Sequence, residues 1–332
     1  MLRTRLIAGR TAGLVVSAIF ATVLCVANLF ETFVEPLRVV PEKPAPVTLR
    51  LPTTTVQTNH DVGVTLTTQA RVVSRGERTA ADPELAALVR SHENARRPPD
   101  PSTVLGLWFV YFLIGVMLTS YLRTFSPGRG SLLRTQAGLM GLSALWLLLC
   151  KALLLLTDVS AFVLPIPCIG LWAALYLDRR TAFVIVVALS FLASSLVGFR
   201  LVALAVYAVS GTVAVAAFRD RKHTTRMMGA GFVAGLGAAA MVVAGRTVVE
   251  GTFDPVADIM GLWRSDIIGG FAGGLSGGLL AYAFQGIAVV ALGAVSRQKL
   301  LDLSDLGQPL LQKMADEAPG SWEHARAMAN LA

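Results

Sequence analysis

A chain of 332 residues that is 54 % hydrophobic and only 15 % charged, with a mean hydropathy of +0.63, departs from soluble domains, in which about 25 % of residues are charged. Its apolar residues cluster in runs on the scale of the roughly 20 helical residues that cross a bilayer core, which excludes a pair of ordinary soluble domains and indicates an all-α polytopic membrane protein. The formal charge of +8 does not indicate a nucleic-acid partner, because the basic residues fall mainly in short loops between apolar runs, where they act as a topology signal.

The first segment, residues 1–34, carries Arg3, Arg5 and Arg10 ahead of an apolar run from Ala12 to Phe30. A cleaved signal peptide has an apolar core of roughly 7–15 residues. This run is longer, so an uncleaved signal-anchor is expected. Residues 35–102 differ in kind, being polar and Pro-rich at both ends. Val47–Leu51 and Val62–Val73 alternate and are rich in β-branched residues, as strands are. Ser74 to Glu77 reads as a turn, and Asp82-Pro83 as the N-cap and first residue of a helix to about Arg96. Together they predict a small α+β extracytoplasmic domain between the first and second spans. At about 65 residues it is marginal alone on surface-to-volume grounds.

Residues 103–296 read as seven further spans, 104–122, 135–156, 160–177, 182–197, 201–218, 227–245 and 267–291, for about eight transmembrane helices in all. The fifth and sixth are short and joined by Gly198-Phe199-Arg200, which predicts a tight hairpin. The connections placed inside hold fourteen Lys and Arg: Arg3, Arg5, Arg10, Arg123, Arg129, Arg134, Arg179, Arg180, Arg219, Arg221, Lys222, Arg226, Arg297 and Lys299. The short outside loops hold three, Arg200, Arg246 and Arg264. This bias puts both termini in the cytoplasm, and an even number of spans agrees.

Three features inside the apolar runs carry chemistry. Lys151, in LLLCKALLLL, is an intramembrane cation and hence a functional candidate; the alternative is that its stem snorkels toward Asp158 at the outer interface. Pro165 and Pro167 break the start of the fourth span, as in helices that line transporter sites, although no matching break occurs in another half. Gly269, Gly273 and Gly277, with Gly270, Gly274 and Gly278 one position on, repeat at four-residue spacing, joined by Gly231 and Gly235 in the preceding span. Such spacing lets helices approach closely, either within the chain or across a homodimer seam. Cys25, Cys150 and Cys168 all lie in apolar runs without zinc-ligand spacing, and read as small hydrophobes.

The last segment, residues 297–332, is amphipathic. Leu300, Leu301, Leu303 and Leu306 form an apolar stripe. Pro309 opens a second helix that could bury Leu310, Leu311, Met314 and Ala318. Ser321 is a natural N-cap for a third, with Trp322, Ala325, Met328, Ala329 and Ala332 on its apolar side. Leu303-Ser304-Asp305, Pro309-Leu310-Leu311 and the stretch from Glu317 through Ala318-Pro319-Gly320 to His324 resemble the junction at which seven-transmembrane receptors meet an intracellular HD hydrolase domain, the PgpH-like family of cyclic di-AMP phosphodiesterases. Val72 to Val89 is similar to the closing strand-turn-helix of that family's extracellular domain, which is usually far longer than the one here.

The resemblance implies a multi-pass protein of the bacterial cytoplasmic membrane, with an outside signal biasing a cytoplasmic hydrolase. It makes His324 the first metal-ligand histidine of an HD domain whose further ligands, including an adjacent His-Asp pair, would follow Ala332; Glu323 stands where the family often has a second histidine. A divalent metal pair and a cyclic dinucleotide are expected only with a complete HD domain. Phosphodiester hydrolysis of this kind needs several convergent His and Asp ligands, and His60, His92, His223 and His324 do not supply them. No catalytic residue and no cofactor are therefore assigned within these 332 residues, which are expected to be inert by themselves. A non-enzymatic membrane scaffold recruiting partners through its tail, and a small-solute transporter using Lys151, are the alternatives.

Overall fold

In the computed structural model, the described residues are 2–33, 45, 49–59, 63–73, 83, 86–87, 89, 100–126, 132–219, 223–250, 266–293 and 309–331. They fall into two units, Met1–Leu292 and Gly293–Ala332.

The first unit is a helical membrane bundle. Helix α1 spans Leu2–Phe33, α2 Pro101–Phe125 and α3 Leu133–Leu156. A 3-10 turn at Ala161–Val163 leads into α4, Pro167–Tyr176, followed by α5, Arg179–Ser195, α6, Leu201–Ala217, and α7, Arg226–Gly245, which runs into a π turn at Arg246–Glu250. Helix α8 covers Asp266–Ala283 and α9 Gln285–Ala291. Between α1 and α2, strands β1, Leu49–Asn59, and β2, Gly63–Val73, pair antiparallel from Leu49 opposite Val73 to Asn59 opposite Gly63. Pro52 is tolerated because each strand of a two-stranded ribbon is an edge.

Eight full-length spans are not what the helices form. Among the described residues four are long and apolar enough to cross a bilayer: Thr11–Phe30 within α1, α2, α3, and Arg226–Val248. Counting α8 and α9 as one bent span makes five. The expected fourth span is broken by its prolines into a three-residue turn and the ten residues of α4, about 15 Å of helix. At 17 residues each, α5 and α6 reach about 26 Å, short of a core of about 30 Å. Hydropathy registers apolar length and is blind to where a backbone bends.

The expected α+β domain is likewise reduced, among the described residues, to one hairpin and a few helical positions. Pro83 and Ala87 face out while Ala86 and Val89 are buried, the three-residue recurrence of one helical face. Val73 and Ala45 are buried outside the main core cluster. The expected turn at Ser74–Glu77 lies outside the described residues, as does the stripe Leu300, Leu301, Leu303, Leu306.

Packing is organised around α8, which carries glycine on two faces. On one, α8 lies against α7: a Cβ on Gly274 would sit 2.3 Å from the Gly235 nitrogen, and one on Gly231 would sit 2.6 Å from the Gly278 Cα. No side chain fits between those backbones. On the other face, a Cβ on Gly273 would sit 2.4 Å from the Phe162 carbonyl oxygen, one on Gly269 2.7 Å from Ser160 Cβ, and one on Gly277 3.0 Å from the Pro167 ring. Phe232 and Phe271 close the α7–α8 seam edge to face, with centroids 5.5 Å apart. The bundle's periphery is apolar: Leu105, Phe109, Leu113 and Met117 recur every fourth residue on α2 and are exposed, as suits a helix in an apolar medium.

The α5–α6 hairpin turns on two consecutive left-handed residues, Gly198 at φ 76° and Phe199 at φ 56°. Phe199 is held there by a bond from its N–H to the Ser194 carbonyl at 2.8 Å and by its ring against Phe191. At the other end of α5, Asp178 is the N-cap: Oδ1 accepts from Thr181 N–H at 2.8 Å and Oδ2 from the Thr181 hydroxyl at 2.5 Å. Burial alone would raise this carboxyl, but the Thr181 hydroxyl and N–H, the Ser126 hydroxyl and the Arg180 N–H outweigh it and hold it below the usual carboxylate range.

The second unit is a helical pair, α10, Pro309–Glu317, and α11, Pro319–Leu331. Leu311, Met314 and Ala318 are half-buried, whereas Leu310 is 76 % exposed. On α11, Trp322 is half-buried while Ala325, Met328 and Ala329 are exposed. The apolar side expected of that helix is thus largely open within this unit.

The seam is tested by Gly274→Ala, which must displace backbone of α7 and should cost about 1–3 kcal/mol as overpacking; Gly229→Ala, with nothing near its Cβ, should be close to neutral in the same detergent thermal melt. The cap is tested by Asp178→Ala, expected to lose about 1 kcal/mol at neutral pH. Because the folded carboxyl titrates below its unfolded value, its contribution is present above about pH 4 and is lost as pH falls through the folded value. The stability difference between wild type and variant should therefore shrink below about pH 4; a constant difference would contradict the cap's charge.

Candidate functional site

An apolar medium leaves broken backbone and polar side chains to find partners within the protein. Two polar clusters and one broken turn do so in this bundle.

The Pro-broken segment before α4 exposes carbonyls that a continuous helix would have used. Aromatic donors supply the missing bonds. Tyr207 OH donates to the Ala161 carbonyl at 2.7 Å and Trp146 Nε1 to the Pro165 carbonyl at 3.0 Å. Trp172, buried at the centre, donates to the Ala281 carbonyl of α8 at 2.8 Å and meets Trp146 edge-on at 5.7 Å. The break is filled from one side by these rings and from the other by the glycine face of α8.

At the same end as this turn, Ser160 is a hub. Its Oγ accepts from Phe162 N–H, capping the 3-10 turn, and donates to Asp266 Oδ1 at 2.5 Å. Asp266 opens α8 and pairs through Oδ2 with the Arg246 guanidinium at the end of α7. An acid at a helix N-terminus and a base at a C-terminus both complement the helix dipoles. The cluster thus ties α7, α8 and the broken turn together, with both charged side chains about three-quarters buried, at 24 % and 23 % exposure.

A second knot joins α1 to the rest. Asn28 Nδ2 donates to Tyr111 OH at 2.7 Å and to the Ser195 carbonyl at 3.3 Å. Tyr111 OH and Ser195 Oγ lie 2.7 Å apart, and Ser195 Oγ reaches the Leu192 carbonyl at 2.6 Å. Asn28 Nδ2 also reaches Ser195 Oγ at 3.3 Å. With Tyr111 donating to Ser195 and Ser195 to the Leu192 carbonyl, each hydroxyl donates once and accepts at least once, so α1, α2 and the end of α5 are linked by one relay.

Of the residues singled out from the sequence, Lys151 lies on the buried side of α3 and is 8 % exposed, between Leu147 and Leu154 on that face. Gly269, Gly273 and Gly277 meet Ser160, Phe162 and Pro167 of the same chain. His324 is exposed on α11, with Glu323 beside it also exposed. The metal pair that an HD hydrolase implies does not fit the residues described: one exposed histidine offers one ligand, and no three of His, Cys, Asp and Glu come together among the described residues.

Sequence reasoning missed Asn28, Tyr111, Ser195, Ser160 and Asp266, and treated Arg246 only as a loop charge. A lone Asn in an otherwise apolar run was the available signal for the knot, since a buried amide requires a partner. Nothing in the spacing named that partner, 83 residues away at Tyr111.

Comparison with known proteins agrees with this membrane architecture. No solved structure matches the chain. Over 124 residues it is 27 % identical to the cyclic-di-AMP phosphodiesterase PgpH of Listeria monocytogenes serotype 1/2a (strain 10403S), a stretch covering 37 % of this chain and 17 % of that protein. The chain therefore aligns with less than a fifth of that relative's length. Residues 101–288, more than half of the 332, match the family described as 7TM receptor with intracellular HD hydrolase, and the chain belongs to that family.

Proposed function

We propose that this chain is the sensory and regulatory membrane portion of an HD-type, metal-dependent cyclic di-AMP phosphodiesterase of the bacterial cytoplasmic membrane. The family match over residues 101–288 carries the reading. The similarity to a cyclic-di-AMP phosphodiesterase supports the substrate class, and the junction motifs ending at His324 support a cytoplasmic hydrolase joined through the tail. In this reading α1 is a retained signal-anchor, the β1–β2 hairpin belongs to the outside domain, and both termini face the cytoplasm. The short helices α4, α5 and α6 complete an eight-segment topology with the longer ones.

Retention of α1 is supported by the Asn28–Tyr111–Ser195 relay, because cleavage after it would strip a buried hydroxyl pair of its amide donor. An outside signal would act by changing the relative populations of two packings of the bundle. The Ser160–Asp266–Arg246 cluster suits that role, since it joins the loop end of the bundle to α8. Hydrolysis itself needs metal ligands beyond those described, so the 332 residues alone would be silent.

The measurement is cyclic di-AMP hydrolysis in membranes with added manganese, comparing the 332-residue chain with the same chain continued into an HD domain. The longer protein should hydrolyse the substrate, and the 332-residue chain should show no turnover above empty membranes. Turnover by the shorter chain would overturn the assignment of chemistry to a following domain; no turnover by a folded longer protein, with other cyclic dinucleotides also refused, would overturn the enzyme reading.

A further inference from the structure

Helices α8 and α9 pass as one apolar span but are bent by 65° at Phe284. Unbent, the stretch from Asp266 to Ala291 would be about 39 Å long, well beyond a hydrocarbon core of about 30 Å. Bent, α8 alone supplies about 27 Å, and α9 is turned aside at the end of the bundle where α3 begins. Its outer side chains are apolar and exposed, Val290 at 71 % and Ile287 at 53 %, while Ala288 is fully buried and Leu292 is 1 % exposed.

What holds α9 in that position is the second half of the observation. The Ala291 carbonyl oxygen sits 1.8 Å from where a Cβ on Gly138 would be, so the α9 terminus rests directly on α3 backbone. Thr135, buried in the first turn of α3, donates its hydroxyl to the Leu292 carbonyl at 3.1 Å. The negative end of one helix thereby meets the positive end of another. Tyr176 OH adds a bond to the Gln285 carbonyl at 3.4 Å. Immediately after the dock, Gly293 takes a left-handed φ of 61°, and the first unit ends at Leu292.

We propose that α9 is a releasable clamp. Seated on Gly138 and Thr135, it fixes the point at which the chain leaves the membrane bundle; released, α8 and α9 straighten and that exit point moves. The holding set is small, two hydroxyl bonds of which the Tyr176 one is long at 3.4 Å, one glycine-sized notch and the buried Ala288 and Leu292, so a change at Gly138 or Thr135 shifts the population. The clamp itself is independent of the enzyme reading, but its use as the output that biases a following hydrolase rests on it.

The test uses Leu292→Cys as reporter, because cysteine is smaller than leucine and fits the same site. It is read in permeabilised membranes with a membrane-impermeant maleimide, above the background of the three native buried cysteines. Seated, the reporter should label slowly. Adding Gly138→Leu should raise the rate by about tenfold or more, and Thr135→Val by a few-fold, as a seated state loses population. Gly286→Leu, whose Cβ would meet nothing within 4 Å, should leave the rate unchanged. Labelling of Leu292→Cys as fast as in the denatured protein overturns the clamp, as does an unchanged rate in folded Gly138→Leu. Should Gly138→Leu fail to accumulate, Thr135→Val decides, and an unchanged rate there overturns it equally. The same substitutions in a protein continued into an HD domain separate the two claims: faster labelling with unaltered cyclic di-AMP hydrolysis leaves the clamp standing and overturns its use as the enzyme's output.

Discussion

Everything in the membrane unit depends on how closely α8 can lie against its neighbours. In lipid there is no hydrophobic force between helices, so association relies on packing and on a few polar bonds. Helix α8 meets this by presenting no side chain at all on two of its faces. One accepts the backbone of α7 at Gly231 and Gly235, the other the backbone of the broken turn at Phe162 and Val163. A helix made thin in this way can be gripped from both sides. Its seam also has fewer interlocking side chains than a leucine-packed one would present.

Polar groups hold the helix at either end. The Ser160–Asp266–Arg246 cluster pins the beginning of α8, and the Thr135 and Gly138 dock pins α9 beyond its end. Between the pins lie glycine contacts, together with the Trp172 bond to the Ala281 carbonyl. The prolines that looked like a transporter's broken helix serve this arrangement: they bring a short stretch of backbone to the glycine face, and Trp146 and Tyr207 satisfy its carbonyls. A solute path would need such groups turned toward a cavity, whereas here rings and α8 occupy both sides.

Much of this was legible in the sequence, and the failures have common causes. The membrane class followed from composition, and α1, α2, α3 and α7 from apolar length. The count of about eight transmembrane helices did not survive as full-length spans: the break already legible at Pro165 and Pro167 leaves the fourth only a short helix, and Phe284, an apolar residue that does not lower hydropathy, divides the last. The four-residue glycine spacing was visible, with Gly269, Gly273 and Gly277 as one row and Gly270, Gly274 and Gly278 as another. That the two rows face different partners follows only from where the chain folds back. Asn28 and Tyr111 were each visible as polar residues in apolar runs, but a bond across 83 positions is a property of the fold.

His324 illustrates the opposite situation, in which sequence speaks and structure adds little. Its motif resembles the threshold of an HD domain, yet on α11 it stands exposed with no gathered ligands among the described residues. A metal site is a convergence of side chains from separate elements, and one helix can contribute only one or two of them. The open apolar positions on the same two helices, Leu310 and Met328 among them, are what the first helices of a larger domain would present. In the membrane unit, by contrast, Ser143 and Ser210 alone among the described residues have a buried side-chain oxygen without a hydrogen-bond partner. The bundle's polar side chains meet one another across helices, at Asn28, Tyr111 and Ser195 and at Ser160, Asp266 and Arg246, whereas Glu323 and His324 stand exposed on a single helix.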